Sequence, residues 1–213
     1  VFAHGYVSPY DPLQVPDYRI DGIPLSTLVT QSGFVYATSS FPVNGLAIQE
    51  GIADLAQLSL QARTACGLTG PAILAGASEG GAIAALGMER LAPHLFQGGL
   101  ALCGPIGSFQ QQINHYDDVR VIFDYFFPGV LPGTAIDPDP LGVVQANWPT
   151  YAGQIALALA ANPSATRQLV KVLGLPVDPT DLATSLGQAV IGNLWYNVVG
   201  THDAQAKLGG QPF

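Results

Sequence analysis

The hydrophobic pattern of the first half of the chain alternates short apolar runs with longer amphipathic stretches. The runs at residues 34–38, 72–75 and 98–102 have the length and the flanking turn residues of buried strands. Between the first two, apolar residues from 46 to 66 recur at helical spacing, and Gly67 follows where a helix would end. Each connection is long enough for a parallel crossover, so we expect a mostly parallel α/β sheet with crossover helices.

Helical spacing dominates the second half of the chain, from residue 106 to residue 213. Apolar side chains step by three or four between Ile113 and Phe126, and a stretch rich in Pro, Gly and Asp follows at 128–148. Further helices are predicted at 24–32 in the first half and at 151–161, 164–173, 178–199 and 203–208 in the second. The sequence therefore predicts an α/β core portion over residues 1–105 and an α-helical cap region over residues 106–213.

Charge and composition argue against several classes of partner. The 213 residues include 15 acidic and 7 basic side chains, for a net charge of -8, and no run of Lys or Arg, so nucleic acid is not an expected partner. The apolar stretches are interrupted by Gly, Pro or charge, so no transmembrane segment is expected. Only 10% of the residues are charged, while Gly, Pro, Ser and Thr are abundant, which favours a secreted protein.

The two cysteines are not expected to pair with each other. Cys66 closes the helix before the 72–75 strand and Cys103 follows the 98–102 strand, which places them at opposite ends of the sheet. A strand of about six residues separates these ends by roughly 20 Å, which is too far for a disulfide. Each cysteine is then either a buried thiol or bonded to a segment outside this sequence.

Ser78 stands at the junction between the 72–75 strand and a helix of small residues. The sequence there is Gly76-Ala77-Ser78-Glu79-Gly80, a G-x-S-x-G pattern between strand and helix. The two flanking glycines let strand and helix approach closely around a tight turn, so that the Ser78 hydroxyl projects above the sheet. The Glu79 N–H would lie at a helix N-terminus, where developing negative charge is favoured. A simpler interpretation is that Ser78 only caps the helix.

A second motif lies at the start of the chain, where three apolar residues are followed by His4-Gly5-Tyr6. It resembles the strand and loop that carry the second oxyanion-hole donor of a serine hydrolase. Gly5 would let the backbone come close to the reacting group, and the Tyr6 N–H would be the donor. His4 is interpreted as a loop histidine that hydrogen-bonds a neighbouring turn.

The two motifs together resemble the α/β-hydrolase superfamily, and within it the secreted esterases and lipases that carry a helical lid. The resemblance covers residues 1–105 and is weak beyond them. It implies that Ser78 is the nucleophile and that the backbone N–H groups of Tyr6 and Glu79 form the oxyanion hole. It also implies the chain order serine, acid, histidine for the catalytic triad, so His4 is not the catalytic base.

The resemblance requires a histidine base later in the chain than Ser78, with an acid between them. The histidines that follow Ser78 are His94, His115 and His202. His94 precedes a strand and would lie at the wrong end of the sheet, while His115 comes too early in the chain. His202 is the remaining candidate.

One interpretation pairs His202 with Asp124. If residues 119–123 and 194–199 were strands, Asp124 and His202 would follow them and complete the required chain order. Both segments fit a period of 3.6 residues better than a period of two, which speaks against this interpretation. We favour the alternative that the chain is incomplete, with the first two strands and the catalytic acid and base on additional polypeptide.

The sequence thus predicts a serine esterase or lipase-like hydrolase that cleaves a small-molecule carboxylic ester through an acyl-enzyme on Ser78. The alternative is a non-catalytic hydrolase-fold binding protein or subunit that lacks its own base. No metal or cofactor is expected, because the histidines are scattered, no C-x-x-C is present, and no phosphate loop or dinucleotide fingerprint follows a strand.

Overall fold

The computed structural model describes residues 1–212. The chain divides into two compact units, the first covering Val1–Ser108 and the second beginning at Phe109. The described residues combine helices with a small parallel sheet of three strands and a separate two-stranded hairpin. The predicted mixed α/β class is therefore confirmed.

The parallel sheet of the first unit consists of β1 (Phe2–Ala3), β4 (Ile73–Ala77) and β5 (Gly98–Leu102), in the order β1-β4-β5. Phe2 pairs with Ala75, and Ile73 pairs with Gly98. The predicted strand at 98–102 is confirmed, and the one predicted at 72–75 is shifted to Ile73–Ala77. Both longer strands therefore end at the same edge of the sheet, next to Ser78.

The strand predicted at 34–38 is wrong over most of its length. Only Thr38 pairs with the sheet, through an isolated parallel bridge to Phe2, whose N–H donates to the Ala37 carbonyl at 2.8 Å. Phe34 and Val35 are 65% and 54% exposed, so their β-favouring side chains have no neighbouring strand to pack on. Strand propensity without packing did not produce a strand here.

The helices of the first unit are α1 (Leu25–Gln31), α2 (Ile48–Cys66) and α3 (Glu79–Leu91). All three correspond to predicted helices, and Gly67, at φ +61°, ends α2 as expected. A short hairpin of β2 (Arg19–Ile20) and β3 (Ile23–Pro24) lies in a stretch where no strand was predicted. The core between sheet and helices contains Phe41, Leu55, Leu74, Ile83 and Phe96.

The second unit is helical. Its elements are α4 (Phe109–Phe126), α5 (Val143–Ala146), α6 (Trp148–Ala161), α7 (Pro163–Leu173), α8 (Leu182–Trp195), a π-helical segment (Tyr196–Thr201) and α9 (His202–Leu208). The predicted helices are confirmed, with α5 as an addition. None of the helices within residues 1–212 combines the length and the apolar composition needed to cross a bilayer.

The structure corrects the interpretation in which Asp124 and His202 follow strands. Residues 119–123 lie within α4, and residues 194–199 lie in α8 and the π-helical segment. Val119 and Phe123 are four residues apart and fully buried on one face of α4, and Leu194 is fully buried on α8, together with Val190 four residues before it. Neither segment is a strand, so neither places Asp124 or His202 at the edge of a sheet.

Cys66 and Cys103 are both free and exposed. The expectation that an unpaired cysteine here would be buried is therefore wrong. Cys66 is the last residue of α2, and Cys103 follows β5 with φ +51°, at chain positions where no core covers the side chain.

Asp117 belongs to a buried polar cluster in the second unit. The Asn197 amide, on the π-helical segment, donates to Asp117 Oδ1 at 2.7 Å and to the Ala135 carbonyl at 3.0 Å. Burial raises the pKa of Asp117 to about 7, with the Asn197 hydrogen bond opposing the shift and the charge of Asp118 adding to it. The folded protein therefore holds a proton on Asp117 at pH values where the unfolded chain has released it.

We predict that Asp117 makes the second unit less stable as the pH rises. The pKa of Asp117 is higher in the folded protein than in the unfolded chain. Its stabilising contribution to the free energy of unfolding is therefore fully present below about pH 4 and is lost as the pH rises through about 7. The Asp117→Asn variant should therefore show a smaller fall in melting temperature between pH 5 and pH 8 than the parent protein. Thermal unfolding followed by circular dichroism measures this difference. The exposed control Asp137→Asn should keep the parent slope, and an unchanged slope in Asp117→Asn would contradict the prediction.

Candidate active site

Ser78 is held in a strained backbone conformation between β4 and α3. It has φ +58° and ψ -126°, a region that residues with side chains rarely occupy. Its N–H donates to the Leu102 carbonyl at 2.9 Å, and its carbonyl accepts the Gly81 N–H at 2.8 Å. The strand on one side and the helix on the other thus fix the turn.

The Ser78 side chain is exposed and makes no capping hydrogen bond to α3. The simpler interpretation, in which this serine serves only as a helix cap, is therefore wrong. A cap would normally have extended backbone and a side-chain oxygen bonded to an N–H of the first turn. Here the φ of Ser78 is positive and no such hydrogen bond forms.

Two glycines make this turn sterically possible. A Cβ atom on Gly76 would lie 2.0 Å from the Gly80 carbonyl oxygen, and one on Gly80 would lie 2.1 Å from the Ala3 carbonyl oxygen. Both obstructing atoms belong to backbone that is fixed by the sheet and the helix, so neither can move aside. The backbone of β1, the turn and the start of α3 are therefore in direct contact.

The His4-Gly5 segment lies against Ser78. A Cβ atom built on Gly5 would be 3.1 Å from Ser78 Cβ and 3.1 Å from the Tyr18 hydroxyl oxygen. The Gly5 N–H donates to that hydroxyl at 2.7 Å. The structure therefore brings the predicted oxyanion loop and the predicted nucleophile together, and adds Tyr18 to them.

The His4 side chain fixes the peptide that carries the Tyr6 N–H. His4 Nδ1 lies 2.7 Å from the Gly5 carbonyl oxygen, and because a carbonyl only accepts, Nδ1 carries the proton. The Gly5 carbonyl and the Tyr6 N–H belong to one planar peptide, so this hydrogen bond sets the direction of the N–H. The His4 ring is buried and stacks on Phe41, with centroids 3.8 Å apart.

The Glu79 side chain packs beneath the turn that holds Ser78. Glu79 is the first residue of α3, and its carboxylate is buried, with Oε1 accepting the Ala47 N–H at 2.7 Å. Ala47 precedes α2, so the carboxylate lies at the positive end of that helix. The Glu79 side chain thus ties the start of α2 to the turn that holds Ser78.

Asp124 and His202, the proposed acid and base, both lie in the second unit. The Arg120 guanidinium is fully buried, and its Nε donates to both oxygens of Asp124, at 2.9 and 2.8 Å. Burial raises the pKa of Asp124, while the charge and the hydrogen bond of Arg120 oppose the shift. His202 is the first residue of α9, beside buried Asp203. The Asp124 carboxylate is therefore bound to a guanidinium rather than to an imidazole.

The first unit contains two histidines, and neither hydrogen-bonds the Ser78 hydroxyl. The proton on His4 Nδ1 is committed to the Gly5 carbonyl, while His94 is exposed in the loop after the cis Ala92–Pro93 peptide. Residues 1–108 thus place a strained serine next to the ordered His4-Gly5 loop, and no histidine among them hydrogen-bonds that serine.

Tyr18 and Arg120 are site and core residues that the sequence did not indicate. Tyr18 lies in an irregular stretch, where the only signal was the proximity of that stretch to the His4-Gly5 motif. It also lines a pocket of about 290 Å³, together with Val15, Pro16, Asp17, Ser26, Tyr36 and Thr38. Arg120 had a clearer signal, because a basic and an acidic residue four apart on a predicted helix are neighbours on its surface and form an ion pair.

Comparison with known protein families, with curated proteins and with solved structures finds no match for this chain. Among the described residues, no three His, Cys, Asp or Glu side chains come together in a way that could hold a metal ion. Any assignment of function therefore depends on the geometry around Ser78.

We predict that the turn cannot tolerate a side chain at Gly80. The Gly80→Ala substitution would force its Cβ into the Ala3 and His4 carbonyl oxygens, 2.1 and 2.5 Å away. It should lower the free energy of unfolding by about 2 kcal/mol or more. Gly70→Ala is the matched control, because a Cβ there meets nothing within 4 Å, and it should stay within about 0.5 kcal/mol of the parent. Urea unfolding measures both, and equal effects would contradict the prediction.

Proposed function

We propose that this chain is a serine hydrolase of the α/β-hydrolase type that cleaves carboxylic esters through an acyl-enzyme on Ser78. The observation that carries the proposal is the backbone of Ser78, at φ +58° and ψ -126°, in an exposed strand-to-helix turn. Strained residues of this kind persist where the surrounding structure enforces them, and they cluster at active sites.

The proposed reaction begins with attack of Ser78 Oγ on the ester carbonyl carbon. The hydroxyl proton passes to a general base, and the carbonyl oxygen becomes an oxyanion within reach of the Tyr6 and Glu79 N–H groups. Collapse expels the alcohol, which takes the proton from the base and leaves the acyl group on Ser78. Water then repeats the sequence and releases the acid. One oxyanion donor is typically worth about 3 kcal/mol of the barrier.

The general base is proposed to come from polypeptide beyond this sequence. Two observations support this. Asp124 is held by Arg120, so it is not available to orient a histidine. The β5 strand is an edge of the three-stranded sheet, and its side chains Leu100 and Leu102 are 51% and 44% exposed, as expected for a strand that further structure would cover.

A non-catalytic binding protein is the competing function. It is favoured by the absence of a histidine on the Ser78 hydroxyl within residues 1–108. The two functions differ in the reactivity of Ser78, because only an activated serine reacts rapidly with a phosphonylating agent.

We predict that an alkyl fluorophosphonate labels Ser78 in the intact protein, in which the polypeptide proposed to supply the general base is present. Fluoride leaves as the Ser78 oxygen bonds to phosphorus, and the adduct adds the mass of the phosphonyl group less one proton. Intact-mass spectrometry and peptide mapping should find one label in the parent protein and none in Ser78→Ala. The matched control Ser164→Ala removes another exposed serine, at the start of α7, and should label as the parent does. A folded parent protein that remains unlabelled would favour the binding protein.

The second prediction of this function concerns His4. The His4→Phe variant keeps an aromatic ring on Phe41 but loses the donor to the Gly5 carbonyl, so the Tyr6 N–H is no longer held in direction. Its labelling rate should fall by about tenfold, less than the 100-fold or more of a deleted oxyanion donor. The His4→Asn variant places an amide N–H near the position of Nδ1 and should recover part of the rate. Equal rates in parent and His4→Phe would show that the hydrogen bond has no such role.

A further inference from the structure

Tyr18 is rigidly placed although it lies in an irregular stretch of chain. Its ring packs edge-on against Phe2, with centroids 5.2 Å apart and an interplanar angle of 68°. Its hydroxyl accepts the Gly5 N–H at 2.7 Å, and its carbonyl accepts the Leu25 N–H at 2.7 Å. Backbone and side chain are thus both fixed, so the hydroxyl occupies a defined position beside the oxyanion loop.

The Tyr18 hydroxyl lies on the side of the loop that faces Ser78. Ser78 Cβ and the Tyr18 hydroxyl oxygen are each 3.1 Å from the Cβ position of Gly5, which is empty because Gly5 has no side chain. Ser78 Cβ and the Tyr18 hydroxyl oxygen are therefore no more than twice this distance apart, so a substrate oxygen that binds between the two side chains can contact both. Any side chain at position 5 would separate the two groups.

The phenol has one proton that the described structure leaves without an acceptor. A tyrosine hydroxyl accepts through its lone pairs and donates one hydrogen. The Gly5 N–H uses a lone pair of Tyr18, and no described residue accepts its O–H. Accepting one hydrogen bond also makes a hydroxyl a stronger donor in the next, because the bonds polarise each other.

We propose that the Tyr18 O–H donates to the carbonyl oxygen of the ester as it becomes an oxyanion, as a third donor beside the Tyr6 and Glu79 amides. This inference rests on the proposed function, because it requires an ester bound at Ser78. The proton stays on Tyr18 throughout, so the step makes and breaks no covalent bond at this residue. Tyr18 is then a catalytic residue rather than only a support for Gly5.

The reaction rate would respond in the opposite way to a more acidic phenol if Tyr18 had only a structural role. If its role were to accept the Gly5 N–H, a more acidic phenol would be a weaker acceptor and would hold the loop less well. If it donates to the oxyanion, a more acidic phenol is a stronger donor and stabilises the transition state more. Fluorinated tyrosine at position 18 therefore distinguishes the two roles by the sign of its effect.

The test uses the intact protein, including the polypeptide proposed to supply the general base, and measures the rates of Ser78 labelling by an alkyl fluorophosphonate and of p-nitrophenyl ester hydrolysis. Tyr18→Phe should lower both rates by about 10- to 100-fold, mainly through kcat, with KM changed less than about threefold. Tyr36→Phe is the matched control, because Tyr36 also stacks on Phe2 and lines the same pocket. The labelling and hydrolysis rates of Tyr36→Phe should be within about twofold of the parent rates, and its melting temperature should be similar to that of the parent.

A fluorotyrosine variant completes the test. Replacing Tyr18 with 3-fluorotyrosine should raise the labelling rate above that of the parent. A lower rate, or a Tyr18→Phe variant that labels as fast as the parent, overturns the proposal for Tyr18 while labelling of Ser78 still stands. A parent protein without labelling at Ser78 overturns the proposed function and this inference together.

Discussion

Backbone atoms of three segments meet around Gly80 with no side chain between them, and the geometry of the candidate site depends on this contact. The carbonyl oxygens of Ala3 and His4 occupy the space that a Cβ of Gly80 would need, at 2.1 and 2.5 Å. Strand β1 therefore lies directly against the first turn of α3. This approach brings the chain that continues from β1 to within van der Waals distance of Ser78.

Two hydrogen bonds then fix the orientation of the loop that lies next to Ser78. Gly5 is held through its N–H by Tyr18 and through its carbonyl by His4, so the peptides on both sides of it are fixed. An oxyanion hole is effective when its donors are oriented before the charge develops, because no reorganisation is then needed during the reaction. The loop at Gly5 is held by hydrogen bonds on both sides, and neither histidine of the first unit hydrogen-bonds the Ser78 hydroxyl.

The elements with strong periodicity could be predicted from the sequence, and the contacts across irregular chain could not. The turn at Ser78 was predictable because strand, G-x-S-x-G and helix follow one another locally. The strand at 34–38 failed because its propensity had no neighbouring surface to act on. The bond from Gly5 to Tyr18 spans 13 residues of irregular chain, and no local pattern encodes where such a stretch folds back. The interpretation of Asp124 as a catalytic acid was wrong because it required a strand at 119–123, whereas the helix places Arg120 one turn before Asp124, where the two side chains form an ion pair.

The hydrogen bond between the Ser78 amide and the Leu102 carbonyl gives the outermost strand a function beyond architecture. β5 is the last strand in the sheet order, yet it supplies one of the two anchors that keep Ser78 in its unfavourable conformation. Fraying of β5 would break this hydrogen bond and let the backbone of Ser78 relax toward the extended conformation that usually precedes a helix. Binding along β5 that stiffened this strand would instead hold Ser78 in its strained conformation. The position of the Ser78 hydroxyl therefore depends on the most exposed strand of the sheet.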